Sequence, residues 1–222
     1  MYRVARASIA RLTQRPLSEV DGYFEELGPL QADLLESVGL LPSAGALMQA
    51  PLLYVLVRAL RPKRLIETGI SSGYSARLIL EALDRNSDGH LTSIGIDVFG
   101  RTPQAGESAN PLQARRVGWL VPDRLKARWA LKIGTSEEHL PGLLAGGRRD
   151  LDVFLHDSLH QYATMRWEYS TAFLALSDSG VLASHDIHAN AAWPEFVREH
   201  ALAGEEELDH DLGAVRTPAA RP

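Results

Sequence analysis

The 222-residue chain contains no cysteine. Disulfides, thiolate nucleophiles and zinc–sulfur sites are therefore excluded together. It also has no apolar run long enough to span a bilayer, no internal repeat and no low-complexity tract. An excess of positive charge is missing too: 23 Lys and Arg stand against 28 Asp and Glu, a formal net charge of −5. Nucleic-acid binders usually carry a basic surface, so neither a nucleic acid nor a membrane is expected as a partner. These absences fit a cytoplasmic protein. What remains is an ordinary globular composition, 45% hydrophobic, in a length that suits one domain with a helical extension.

The N-terminus departs from the acidic balance. Arg3, Arg6, Arg11 and Arg15 all precede the first acid, Glu19. "RVARASIARLTQRP" lacks the apolar core of a secretory signal. A mobile or partner-docked arm is expected, with an organelle transit peptide as the sharper alternative. Leu27, Leu30, Leu34, Leu35 and Leu40 recur at helical spacing, and "GALMQAPLLYVLVRAL" reads as a buried helix, with Pro42 and Gly45 as punctuation. Residues 1–60 thus form an N-terminal helical extension to a second unit, 61–222. Part of the extension is expected to cover a cleft or to meet a second copy of the chain.

From residue 61 short apolar runs alternate with helical segments. "RLIET" precedes a helix over 73–83, "HLTSIGIDV" one over 112–127, "WALKIG" one over 137–145, "LDVFLH" one over 161–176 and "GVLASHD" one over 191–202. Such alternation implies a parallel sheet with helices on both faces. In the tail, "EELDHD" and "GAVRT" are separated only by Leu212, which allows only an antiparallel pairing through a tight turn. Residues 98–111, with Gly100, Pro103, Gly106 and Pro111, are the longest irregular stretch.

"RPKRLIETGISSGYSARLILEAL" places Glu67, Gly69, Ser71, Gly73 and Ser75 at one strand-to-helix junction. Ligands of open parallel sheets bind at the carboxyl ends of the strands. Gly69 allows a sharp turn and a close ligand approach, and Gly73 opens a helix whose free N–H groups face the same cleft. A carboxylate at Glu67 would repel a diphosphate but suits a cationic amino group or sugar hydroxyls. Asp97, at the end of the second strand, occupies the place from which an acid accepts hydrogen bonds from ribose hydroxyls. A nucleoside with a cationic, phosphate-free tail fits both acids, and S-adenosylmethionine has that chemistry.

"FLHDSLHQYATMRWEY" sets His156, Asp157 and His160 at the end of the fourth strand, and "GVLASHDIH" sets His185, Asp186 and His188 at the end of the fifth. Carboxylates and imidazoles brought together there could bind a divalent ion; carboxylates favour Mg²⁺ or Mn²⁺, and histidine shifts the balance toward Mn²⁺, Fe²⁺ or Zn²⁺. The plainer readings are that His156 is buried and inert, that His188 is a surface residue, that the two aspartates cap helices, and that Trp167 and Tyr169 are core. Arg115 and Arg116 read as a solvated helix face, and the adjoining "VGWL" either closes over a cleft or packs on the N-terminal helices.

"ETGISSGYS" resembles the first motif of class I S-adenosylmethionine-dependent methyltransferases. "GWLVP", "IGTS", "FLHDSLHQY" and "SGVLASHDI" are similar to successive blocks of the branch that includes macrocin-type sugar O-methyltransferases, over residues 50–217. The resemblance implies a Rossmann-like α/β fold: a seven-stranded sheet, mostly parallel with an antiparallel last strand. It implies that Glu67, Gly69, Ser71, Gly73 and Ser75 surround the methionine part, that Asp97 holds the ribose, and that Thr135, Ser136 and His156 add cofactor contacts. It also implies a metal on Asp157 and Asp186, with His185 where a further acid is often found, and His160 as the general base of an Asp-x-x-His pattern. Thr135 stands where the branch usually has an acid. The function expected is O-methylation of a small hydroxylated molecule. Alternatives are a non-catalytic S-adenosylmethionine-binding or assembly subunit, and a short-chain oxidoreductase, whose Thr-Gly-x-x-x-Gly start "TGISSG" also resembles. Against the last, Tyr162 is followed by Arg166 where that family has lysine.

Overall fold

A computed structural model of the chain describes residues 2–38, 44–97, 116–200, 202, 204 and 206–218, with the side chains of 3, 35–38 and 44–48 left aside. Leu40, Pro42, Arg115 and the 98–111 stretch lie outside the described residues. Three helices come first: α1 (Arg3–Thr13), α2 (Leu17–Val38) and α3 (Ala44–Leu60). Strands and helices then alternate: β1 (Arg64–Thr68), α4 (Tyr74–Asn86), β2 (His90–Gly95), β3 (Trp129–Ile133), α5 (Ser136–Leu143), β4 (Leu151–His156), α6 (Tyr162–Ala175), β5 (Leu176–His185) and α7 (Ala192–Glu199). A hairpin of β6 (Glu206–Asp209) and β7 (Leu212–Arg216) follows. The seven strands form one sheet in the order β3-β2-β1-β4-β5-β7-β6, parallel except at β7, which runs antiparallel to both β5 and β6. The expected fold class and the antiparallel tail are what the structure has.

Residues alternate between the two faces of the strands, and this divides the core. Leu65, Leu91, Val153, Leu155, Val181 and Ala183 pack with α1–α4 on one side. Ile66, Ile94, Phe154 and Leu182 pack with α5, α6 and α7 on the other. The extension is thus continuous with the first core. Ala5, Ile9 and Leu12, one stripe of α1, are buried there. Arg11 Nε and Nη2 donate to the Glu206 carboxylate at 2.6 Å each, and Arg216 Nη1 donates to Leu12 O at 3.2 Å. The expectation of a mobile or partner-docked arm is corrected: the basic segment is a helix docked on the β6–β7 end of its own sheet, because its apolar stripe has a partner there.

Two element boundaries also differ. The part of the expected 112–127 helix that is described is a turn over 117–120 and a 3₁₀ helix over Asp123–Arg128. Gly118 has φ +72°, and a Cβ there would meet the Trp129 ring at 2.5 Å. Its N–H donates to Ser71 O at 2.9 Å, and that of Leu120 to Ser72 O at 3.0 Å, so the segment is pinned to the turn after β1 rather than wound as a helix. The "VGWL" residues Val117 and Leu120 are buried in the first core, with Trp119 packed against it. Strand β2 stops at Gly95, not Val98, because its neighbour β3 ends at Ile133 and the chain turns at Gly134 into α5. Among the described residues no helix is long and apolar enough to cross a membrane.

Candidate active site

The strand order reverses between β1 and β4, and a cleft of about 720 Å³ opens at the carboxyl ends of the strands there. Ligand pockets of open α/β sheets occur at this place and at this size. Its walls come from the turn after β1, the ends of β2 and β3, the segment after β4, the end of β5, and Ala50 and Leu53 of α3. Part of the N-terminal extension thus reaches the cleft wall.

The turn after β1 is shaped by packing. Gly69 has φ +83°, and a Cβ on it would stand 1.8 Å from the carbonyl oxygen of Asp157. Gly73 caps α4 with φ +85°, and its Cβ would meet Gly118 Cα at 2.9 Å. Both glycines are thus required by backbone crossing backbone. Gly69, Ser71 and Ser75 line the cleft; Gly73 lies behind it, in the wall. Glu67 is fully buried beneath the turn. Its carboxylate accepts from Ser93 Oγ at 2.6 Å and from Ser75 Oγ at 3.1 Å. Burial pushes its carboxyl up to about 7 against the pull of these two hydroxyls. Glu67 thus reaches the cleft through Ser75, because period two turns its side chain toward α4.

On the next rim Gly95, Ile96, Gly134, Thr135 and Ser136 line the cleft. Thr135 caps α5 in a reciprocal capping box: its Oγ1 accepts from Glu138 N at 3.3 Å, and its own N–H donates to Glu138 Oε2 at 2.8 Å. Asp97 lies two residues beyond the end of β2, exposed at the edge of the described segment.

The ends of β4 and β5 bring four side chains together. Asp157, His160, His185 and Asp186 each offer a donor atom, all within 4.8 Å of one another. His160 Nε2 is 3.1 Å from Asp186 Oδ2 and 3.7 Å from Asp157 Oδ1; His185 Nδ1 is 3.3 and 3.6 Å from the same two carboxylates. Both nitrogens are shielded from solvent, yet neither is aligned for a hydrogen bond. Asp186 has φ +51°, a left-handed turn at the strand end. The Asp157 carboxylate raises the His160 imidazole above its ordinary value; burial opposes the rise and Asp186 adds to it. Two carboxylates with two converging, unbonded imidazoles match the donor set of a divalent ion. His160, expected only as a base, stands within this set. His188 is exposed, with Nε2 3.8 Å from Glu207.

His156 does not line the cleft, and its expected contact with a cofactor is corrected. Its ring is fully buried and Nδ1 lies 2.6 Å from Glu168 Oε2. The cause is again period two: His156 follows Phe154 onto the α6 face of the sheet. Tyr169 and Trp167 belong to the core on that side. Ile96, Leu159 and Thr164 line the cleft without any signal in the sequence. The α3 pair, Ala50 and Leu53, is legible only as helix.

Residues 66–187 match a family model described as "Methyltransferase domain". No curated protein matches significantly. Among solved structures the chain is similar to cofactor-bound Rv0187 from MTB (TM-score 0.56, 13% identity, 88% of this chain and 91% of that one). It is also similar to the O-methyltransferase TomG from Streptomyces achromogenes, involved in tomaymycin synthesis and in complex with SAM (0.56, 19%, 88% and 90%). A third is the O-methyltransferase from Bacillus cereus in complex with SAH (0.57, 12%, 88% and 91%). At these identities the likeness establishes a shared fold. With more than half of its length matched by the family model, the chain belongs to the methyltransferase-domain family.

Proposed function

We propose that the protein transfers the methyl group of S-adenosylmethionine to a hydroxyl of a small molecule. The observation that carries this reading is that one cleft is lined both by the turn after β1 and by Asp157, His185 and Asp186 of the donor cluster, with His160 set behind them against the two carboxylates. Two structurally similar O-methyltransferases are described with SAM or SAH bound, which supports the choice of cofactor.

The residues divide the work. Gly69, Ser71 and Ser75 form the wall for the methionine part, with the buried Glu67 fixing Ser75 and, in its ionised form, placing negative potential beneath a cationic tail. Asp97 is assigned to the ribose. Thr135 uses one lone pair on its cap and keeps a second for the adenine amine, beside Ser136. Ile96 and Leu159, both more than half exposed and both lining the cleft, would cover the ring. Asp157, Asp186 and His185 would hold a divalent ion, which supplies Lewis acidity that lowers the pKa of an acceptor hydroxyl and offsets the carboxylate field. His160 takes the proton of that hydroxyl at Nε2.

Isothermal calorimetry tests the cofactor. S-adenosylmethionine and S-adenosylhomocysteine should bind and NADH should not; binding of NADH alone would overturn the reading. Turnover should fall on chelation and return with Mg²⁺ or Mn²⁺. Full activity with no metal found by elemental analysis would remove the ion and leave methyl transfer standing.

A further inference from the structure

Beneath the cleft lies a buried charge that the reaction does not use. Glu168, on α6, is fully buried. Its Oε2 accepts from Thr68 Oγ1 at 2.6 Å and lies 2.6 Å from His156 Nδ1. Its Oε1 accepts from Ser158 Oγ at 2.7 Å, and the Ser136 hydroxyl, within reach of both Glu137 Oε2 at 3.2 Å and Glu168, adds a further interaction. These four groups belong to the ends of β1 and β4, the segment after β4, and the start of α5. Burial pushes the Glu168 carboxyl up, but His156 and the hydroxyls of Ser136 and Thr68 outweigh it and hold the carboxyl below its ordinary value.

We infer that Glu168 is a positioning residue that aims Asp157 and sets both sides of the cleft. His156 and Ser158, the two neighbours of Asp157 in sequence, are both held by Glu168. With residues 156 and 158 fixed toward α6, Asp157 is left facing the cleft, where it meets His160 and His185. The Asp157 carbonyl is also the atom against which Gly69 packs, so the same grip fixes the turn that forms the cofactor wall. Ser136 and Ser158 themselves line the cleft on the cofactor side. On the other side the His156 ring stands edge-on to His160, with centroids 5.5 Å apart.

Packing does not demand a carboxylate here. The surrounding core contains Phe154, Met165, Tyr169 and Leu182, so an apolar side chain of similar volume could occupy the same space, although removing one partner of a buried pair is strongly destabilising because the other is left uncompensated. Such a residue would fill the space but leave the hydroxyls of Thr68 and Ser158 and the His156 Nδ1 without their acceptor. What the carboxylate adds is the fixed placement of three elements around one aspartate.

The inference rests on the reading of the cleft as an S-adenosyl site with a metal cluster, and its test separates the two. Glu168→Gln and Glu168→Met would be compared with the wild type for melting temperature, affinity for S-adenosylhomocysteine by calorimetry, and affinity for Mn²⁺ by electron paramagnetic resonance. Both affinities should weaken about tenfold in the folded variants, the scale of one lost charge-assisted hydrogen bond. Adding Ser158→Ala to Glu168→Gln should cost little more, because the two act as one unit. A folded variant with wild-type affinity for both ligands, whatever its melting temperature, overturns the inference and leaves the methyltransferase reading intact. A wild type that binds neither ligand overturns both. Where neither Glu168 variant folds, Ser158→Ala alone decides: a severalfold loss of both affinities supports the grip, and wild-type affinities overturn it.

Discussion

The two halves of the cleft are built on opposite principles. Around β1, β2 and β3 the charged and capping groups are satisfied by the protein itself, Glu67 by Ser75 and Ser93 and Thr135 by Glu138, and among the described cleft-lining residues there only the Tyr74 hydroxyl is buried without a partner. That wall is shaped by backbone, with Gly69 and Gly73 permitting contacts no other residue allows. At the ends of β4 and β5 the side chains are left unsatisfied. Imidazole nitrogens of His160 and His185 point at carboxylates without forming hydrogen bonds. Buried polar groups are seldom left unpaired without a reason. The first half presents a wall shaped by backbone contacts; the second presents donor atoms of the kind that can take a divalent ion.

The largest effect is expected from Gly69→Val. The new side chain would collide with the Asp157 carbonyl at a positive φ, at a cost of about 4 kcal/mol or more by denaturant titration. Gly142→Ala, where nothing lies within 4 Å, is the control and should stabilise α5 by about 0.5–1 kcal/mol. A stable Gly69→Val protein would show that the shaped wall yields, and the contrast between the halves would fail.

His160→Ala probes the unsatisfied half. It should lower kcat on the order of 10²–10⁴-fold, about 3–5 kcal/mol in the barrier, with affinity for S-adenosylhomocysteine near wild type. A lower melting temperature with kcat within a few-fold would assign His160 to packing instead.

Glu67→Gln sharpens the first half through pH. Glu67 titrates near 7 in the folded protein against an ordinary 4.5. A raised folded value gives stability that is fully present below pH 4.5 and lost as pH rises through 7. Glutamine does not titrate, so the stability of the variant relative to wild type should increase by about 3 kcal/mol between pH 4 and pH 8. Thermal melts of the ligand-free proteins across that range would measure it; a flat difference would mean that Glu67 is not held in the dry environment described.

The smallest effect belongs to Thr135→Ala, which removes one side of a capping box. It should cost about 1 kcal/mol of stability. A loss in S-adenosylmethionine affinity beyond that found for stability would show that the threonine also meets the adenine.

Much of the architecture was legible because its signals are local. Strand–helix alternation, the short link at Leu212 and the glycines after β1 each act within a few residues, through period, turn geometry and steric allowance. The placement of Asp157, His185 and Asp186 at two neighbouring strand ends followed from the same alternation. Parity along β4 would even have turned His156 away from the cleft, since it shares a face with Phe154. The partner that holds it, Glu168, gives no such sign.

By itself, then, the sequence determined the order of the seven strands with α4 to α7 between them, the antiparallel tail and the strand ends where chemistry-bearing residues gather. Only the tertiary structure decided which of those residues face the cleft. It docked the basic α1 on β6, sank Glu67 under Ser75 and Ser93, and drew His160 into the carboxylate cluster. The reason is physical. A residue's period and backbone limits are set by its near neighbours in the chain, whereas its burial and hydrogen-bond partners are set by whatever packs beside it. For Thr68 and Glu168 that partner is 100 residues away.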